Sequence, residues 1–178
     1  NESILYDAKP HIGTDVLLTV VQNLRRRILA LGGEVRFSAQ ATGFLREDGA
    51  LSGLEVCERG ETYTLPCSHA ILAIGHSARD TFETLLQSGV PMEPKAFSMG
   101  VRIEHRQSMV NESQYGAFAD RLGAADYKLN VRFPDGTSAY TFCMCPGGHV
   151  VAAASEEGGV VTNGMSDFAR DGENANAA

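Results

Sequence analysis

No apolar run in this chain is long enough for a membrane helix, and no signal peptide is visible, although 43% of the residues are hydrophobic. These absences predict a cytoplasmic protein with no membrane partner. Positive charge is also short: 15 Lys and Arg stand against 22 Asp and Glu, a net charge of −7 that speaks against a nucleic-acid partner. Cysteine is sparse, and Cys57, Cys67, Cys143 and Cys145 contain no Cys-x-x-Cys pair, so their spacing offers no metal site. At least three are expected to be buried apolar thiols. The sharper alternative is a redox pair at Cys143 and Cys145, on one face of a strand. No Ser/His/Asp or paired-carboxylate constellation has a supporting context, which disfavours a hydrolase.

What is present suffices for one large or two small domains with a real core, since the chain has 178 residues. Leu17, Val20, Leu24, Ile28 and Leu31 recur at helical spacing behind Thr14, a good N-cap, and Asp15, which suits the positive end of the helix dipole. Arg25–Arg27 reads as a solvated last turn, and Gly32-Gly33 as the stop. A short strand is predicted at Glu34–Ser38. Strands Thr42–Glu47, Leu51–Glu58 and Thr62–Leu65, joined by Asp48-Gly49 and Arg59-Gly60, then read as a meander.

The most informative stretch follows. The apolar run His69–Ile74 reads as a buried strand that ends on Gly75, and a helix is predicted over Arg79–Gln87, with Ser77 as a possible cap. A strand ending on glycine before a helix brings bare backbone to the carboxyl edge of a sheet, where open α/β sheets bind nucleotides.

From residue 94 the pattern changes, after Pro91 and Pro94 as a linker signal. Phe97–His105 alternates as a strand, Arg106–Tyr115 reads as a helix, and 116–125 as loop or short helix. Tyr127, Leu129, Val131 and Phe133 line a strand that turns at Pro134-Asp135-Gly136. Tyr140, Phe142 and Met144 line its return, and His149–Ala154 and Val160–Met165 complete an antiparallel meander, expected to curl into a small barrel or half-barrel. Arg102 and Glu104 read as the wet face of a strand, and Asn163-Gly164 as a turn.

Several strings tie these parts to one family. Ala8-Lys9-Pro10-His11-Ile12-Gly13-Thr14-Asp15, Leu72-Ala73-Ile74-Gly75-His76-Ser77-Ala78-Arg79-Asp80-Thr81, Tyr140–Gly148, Ala152–Glu157, Val161–Ser166 and Ala169–Asn176 resemble the predicted FAD-dependent, NAD-utilizing dehydrogenases of bacteria. The resemblance implies a mixed α/β (α+β) fold. Residues 1–93 would be part of the FAD domain of a two-dinucleotide-binding flavoprotein, 94–166 an inserted β-rich, barrel-like domain roofing the flavin, and 167–178 a truncated return segment. It further implies FAD as cofactor, with NAD(P)H as a possible electron donor, and oxidoreductase chemistry on a small-molecule substrate.

Under this resemblance Ala73, Ile74, Gly75 and His76 would face the cofactor, and Ala41 would bind adenine through strand backbone. Lys9, His11 and Gly13 would pass near the flavin. For His76 a loop or capping role competes, and for Lys9 a plain surface charge. Arg170, Asp171 and Asn174 lie in a polar tail that could reach substrate or flavin. No catalytic residue is assigned, because the flavin carries the electron chemistry and the protein supplies position and electrostatics. The chain departs from the family in having no Gly-x-Gly-x-x-Gly. It begins at Asn1 and stops in Asn174-Ala175-Asn176-Ala177-Ala178 without an evident closing element, so an internal fragment with weak FAD affinity is expected. The alternative of another class is a cofactor-free binding module built on 94–166.

Overall fold

Two dipeptides that accept positive φ fold residues 39–66 into an antiparallel sheet. Asp48-Gly49 (φ 50° and 81°) and Arg59-Gly60 (φ 53° and 89°) place both central residues in the left-handed region, as the two-residue hairpin turn matching strand twist requires. In this computed structural model, which describes Leu5 and residues 11–178, they join β1 (Ala39–Glu47), β2 (Ala50–Glu58) and β3 (Glu61–Pro66) in the order β1-β2-β3. Val56, in the middle strand, is buried. Helix α2 (Arg79–Gln87) packs against β1, burying Thr81 and Leu85, and Gln40 Nε2 donates to Asp80 Oδ2 at 2.5 Å. These elements belong to one compact unit, residues 28–97.

The second unit contains the chain up to Arg27 together with Ser98–Ala178. The boundary read from sequence grouped the start of α1 (Thr14–Ala30) with the meander; contacts tie it to residues 166–168 instead. The Thr14 amide donates to the Ser166 carbonyl at 2.9 Å, and Asp15 Oδ1 accepts the Phe168 amide at 2.9 Å. Gly13, rather than Thr14, holds the cap position, its carbonyl accepting the Leu17 amide at 3.2 Å. At the other end Gly32 (φ 83°) and Gly33 stop the helix, with the Gly33 amide on the Ile28 carbonyl at 3.0 Å. The predicted apolar stripe stays largely uncovered: Leu17, Leu24, Ile28 and Leu31 are exposed.

The core of this second unit is built on its last residues. β9 (Asn174–Ala177) pairs antiparallel with β4 (Ile103–Arg106), and on its other edge with 142–145: the Cys145 amide donates to the Asn176 carbonyl at 2.8 Å, and the Phe142 amide to the Ala178 carbonyl at 2.7 Å. A central strand can be fully covered, and Ala175, Asn176 and Ala177 are at most 1% exposed. α3 (Gln107–Tyr115) follows β4 directly and buries Gln107 and Val110, and a single 3₁₀ turn spans Gly116–Phe118.

Five expectations need correction. First, the segment 167–178 closes the core rather than trailing from it, because small side chains at 175–177 let strands pack on both edges. Second, the four-strand meander is two separate hairpins, β5 (Asn130–Arg132) with β6 (Ser138–Tyr140) and β7 (His149–Ala152) with β8 (Thr162–Met165); the sheets do not close into a barrel. After β6 the chain pairs with β9, which takes the hydrogen bonds a continuing meander would need. Third, His69–Ile74 is neither paired nor buried, with Ile71 95% exposed, since no described strand lies beside it. Fourth, Glu34–Ser38 is not a strand, and Phe97–His105 is one only from Ile103, the residues before it having no strand partner. Fifth, Asn163 sits inside β8 opposite Val151, not in a turn.

Candidate functional site

Asn176 is the largest side chain wholly removed from solvent, a polar group at the centre of the β4–β9 core. Its Oδ1 accepts from Arg102 Nη1 at 2.7 Å, and the same nitrogen approaches the Cys143 carbonyl at 3.4 Å. Arg102, which alternation alone assigned to a wet face, is therefore half-buried and turned inward. The space for this cluster is left by Gly164: a Cβ there would lie 2.6 Å from both Arg102 Nη1 and Cys145 Sγ, and closer still to Asn176 Oδ1. Asn176 Nδ2 and Arg102 Nε are buried without a hydrogen-bond partner, so two donors are held ready in a dry setting.

Burial pushes the Cys145 thiol above its ordinary pKa, and nearby Arg102 only partly opposes this, which favours the neutral thiol. The four cysteines are free. Cys143 has φ 50° and is exposed, so 143 and 145 do not share a strand face; the Cys145 thiol instead donates to the Cys143 carbonyl at 3.4 Å. The expectation of buried thiols needs the same correction: Cys57, Cys67 and Cys145 are half-buried and none is fully enclosed. Among the described residues no group of three His, Cys, Asp or Glu could hold a metal.

Beside this core, His105 Nε2 lies 2.8 Å from the Tyr127 hydroxyl, while its Nδ1 is buried without a partner. Burial raises the Tyr127 pKa, keeping the phenol protonated and able to donate to His105. Gln107 braces the neighbouring loops: its Nε2 donates to Asn111 Oδ1 at 2.8 Å and to the Ala125 carbonyl at 2.9 Å, and its Oε1 accepts the Gly147 amide at 2.8 Å.

The residues singled out from sequence fall into both units. In residues 28–97, Ala41 lies on β1 opposite Val56, next to a register shift between Ala41 and Gly43. Ala73, Ile74, Gly75 and His76 form an irregular exposed stretch; Gly75 has φ 68°, and nothing stands within 4 Å of where its Cβ would be. In the other unit His11 Nε2 contacts the Asp167 carbonyl at 2.9 Å, and Gly13 (φ 85°) is buried against the Phe168 backbone, leaving no room for a Cβ. Both residues thus anchor the start of α1. Lys9 lies outside the described residues. Sequence reading missed Arg102, Gln107, His105, Tyr127 and Asn176 as a polar centre; the Asn-Ala-Asn-Ala alternation was the available signal for a tightly packed strand.

No helix among the described residues is long and apolar enough to cross a membrane. Comparison with known proteins bears on the second unit most directly. An uncharacterized protein of Clostridium beijerinckii is 49% identical over 178 residues, an alignment covering 98% of this chain and 33% of that protein. The chain thus spans about a third of the length of the curated relative it matches. Residues 96–178, which contain β4–β9 and the Arg102–Asn176 cluster, match the family described as FAD-dependent protein, C-terminal domain-like, and so are similar to a domain of FAD-dependent proteins.

Proposed function

We propose that this chain is part of an FAD-dependent oxidoreductase acting on a small-molecule substrate. The observation that carries the reading is the match of residues 96–178 to an FAD-dependent C-terminal domain family. When bound, the flavin would supply the two-electron chemistry. The chain's own residues would bind and orient it: Ala73, Ile74, Gly75 and His76 through backbone at the edge of the unpaired segment, and Ala41 through β1. His11 and Gly13 would act indirectly, by fixing α1. In this reading residues 28–97 belong to the FAD domain and the β4–β9 unit shapes the substrate side. NAD(P)H as electron donor and a cytoplasmic location are parts of the proposal that rest on the sequence resemblance alone.

The test is the flavin content of the whole protein. Yellow protein with bound flavin absorbance is expected, and Gly75→Val should lower the occupancy while a cooperative thermal transition persists. Gly75→Asn separates two roles, because Asn tolerates the left-handed region yet carries a side chain. Full flavin content in the Asn variant would overturn the contact role of Gly75. Whole protein that stays colourless when purified with added FAD would overturn the reading and leave a cofactor-free binding module.

A further inference from the structure

An open cleft of about 570 Å³ lies between the start of α3 and the loop before β9, within the unit that holds residues 98–178. Its lining includes Arg106, Ser108, Asn111, Arg170, Asp171 and Glu173. Two cationic and two anionic residues thus line one cavity. Among the described residues none of the four has an ion-pair or side-chain hydrogen-bond partner. Arg170 is half-buried, with its Nε enclosed by protein and without a hydrogen-bond partner.

The fold holds this wall in place. Arg170 adopts φ 53°, which a non-glycine residue keeps only when its surroundings enforce it. Gly147 packs so tightly on the Arg170 carbonyl, and Gly172 on Gly147, that neither position has room for a Cβ. The Gln107 amide donates to the Glu173 carbonyl at 2.8 Å, tying the loop to α3. A preorganised site loses little freedom when a ligand arrives.

We propose that this cleft binds a small zwitterion, an α-amino acid or a compound carrying the same carboxylate and ammonium groups. A simple anion would meet Asp171 and Glu173 unfavourably, and a simple cation the two guanidiniums. A ligand bearing both charges matches both pairs, with the guanidiniums taking the carboxylate and the acidic side chains the ammonium. The volume leaves room for a side chain beyond the charged groups. The inference does not depend on the flavin reading, because binding is measured directly.

Calorimetric titration of the whole protein with each standard amino acid provides the test, followed by the best binder's deaminated acid and decarboxylated amine. Saturable binding of at least one amino acid is expected, with both analogues weaker by about tenfold or more, the loss of one charge-assisted contact. Arg170→Gln, and the double variant Asp171→Asn with Glu173→Gln, should each weaken binding by about tenfold while keeping the unfolding transition. Should either fail to fold, Arg106→Gln and Glu173→Gln take their places with the same expectation. No saturable binding by any amino acid, equal affinity for either analogue, or variants that bind like the parent would each overturn the proposal.

Discussion

His69–Ile74 and Asn174–Ala177 invert the usual relation between composition and burial. The first is apolar along nearly its whole length and lies exposed, with Ile71 95% accessible; the second alternates asparagine with alanine and is the best-buried strand among the described residues. The difference is hydrogen bonding. β9 has partners on both edges, so its backbone groups are satisfied and its small side chains can be covered completely. The 69–74 segment has no described strand beside it, and an unpaired extended backbone stays in contact with water whatever its side chains prefer.

The strongest way to break this comparison is to attack the buried strand. Asn176→Ala should cost about 3 kcal/mol, combining a lost hydrogen bond to a charged group with a small cavity. Urea unfolding measures it, and a loss near zero would mean that β9 is not the core. Gly164→Ala should cost about 1–3 kcal/mol, because its Cβ enters the space shared by Arg102, Cys145 and Asn176. A neutral result in the same assay would show the cluster to be loosely packed.

A smaller effect is expected from pH. Burial raises the Cys145 pKa, so the contribution of the protonated thiol is complete below the ordinary thiol pKa and is lost as pH rises from there through the folded value. Stability should therefore fall on the alkaline side, and Cys145→Ala should flatten that fall in melting curves taken across the range. An unchanged slope would place the alkaline loss elsewhere. The smallest effect belongs to the exposed segment: Ile71→Ser should shift the stability of the 178-residue chain by no more than about 0.5 kcal/mol. A larger loss by urea unfolding would show that Ile71 is packed after all.

Local chemistry was the legible part. Asp-Gly and Arg-Gly fixed two turns because both central positions need positive φ, and α2 spans the Arg79–Gln87 that its pattern predicts. The hairpin turn at 134–136 was readable from other local chemistry: Gly136 takes φ 87°, and Asp135 Oδ1 accepts from the Thr137 amide at 2.9 Å and its hydroxyl at 2.6 Å. These contacts also hold the Asp135 carboxyl below its usual pKa. The candidate site was far less readable. Arg102 sits at an alternating position that reads as wet, and only the arrival of Asn176 from far along the chain turns it inward. His105 and Tyr127 are 22 residues apart, a separation that no local periodicity reports.

The sequence by itself determined the tight turns at Asp48-Gly49, Arg59-Gly60 and Pro134-Asp135-Gly136, which segments are helical, that the fold mixes helices with antiparallel strands, and that a flavoprotein-like pattern runs through the chain. Those features depend on φ preferences, capping and spacing among near neighbours, all encoded within a few residues. Tertiary structure alone decided which strands pair, that the polar end of the chain forms the core, and that two arginines and two carboxylates line one cleft. These outcomes depend on backbone hydrogen bonds between distant segments, and a residue's own hydrophobicity does not name its partner.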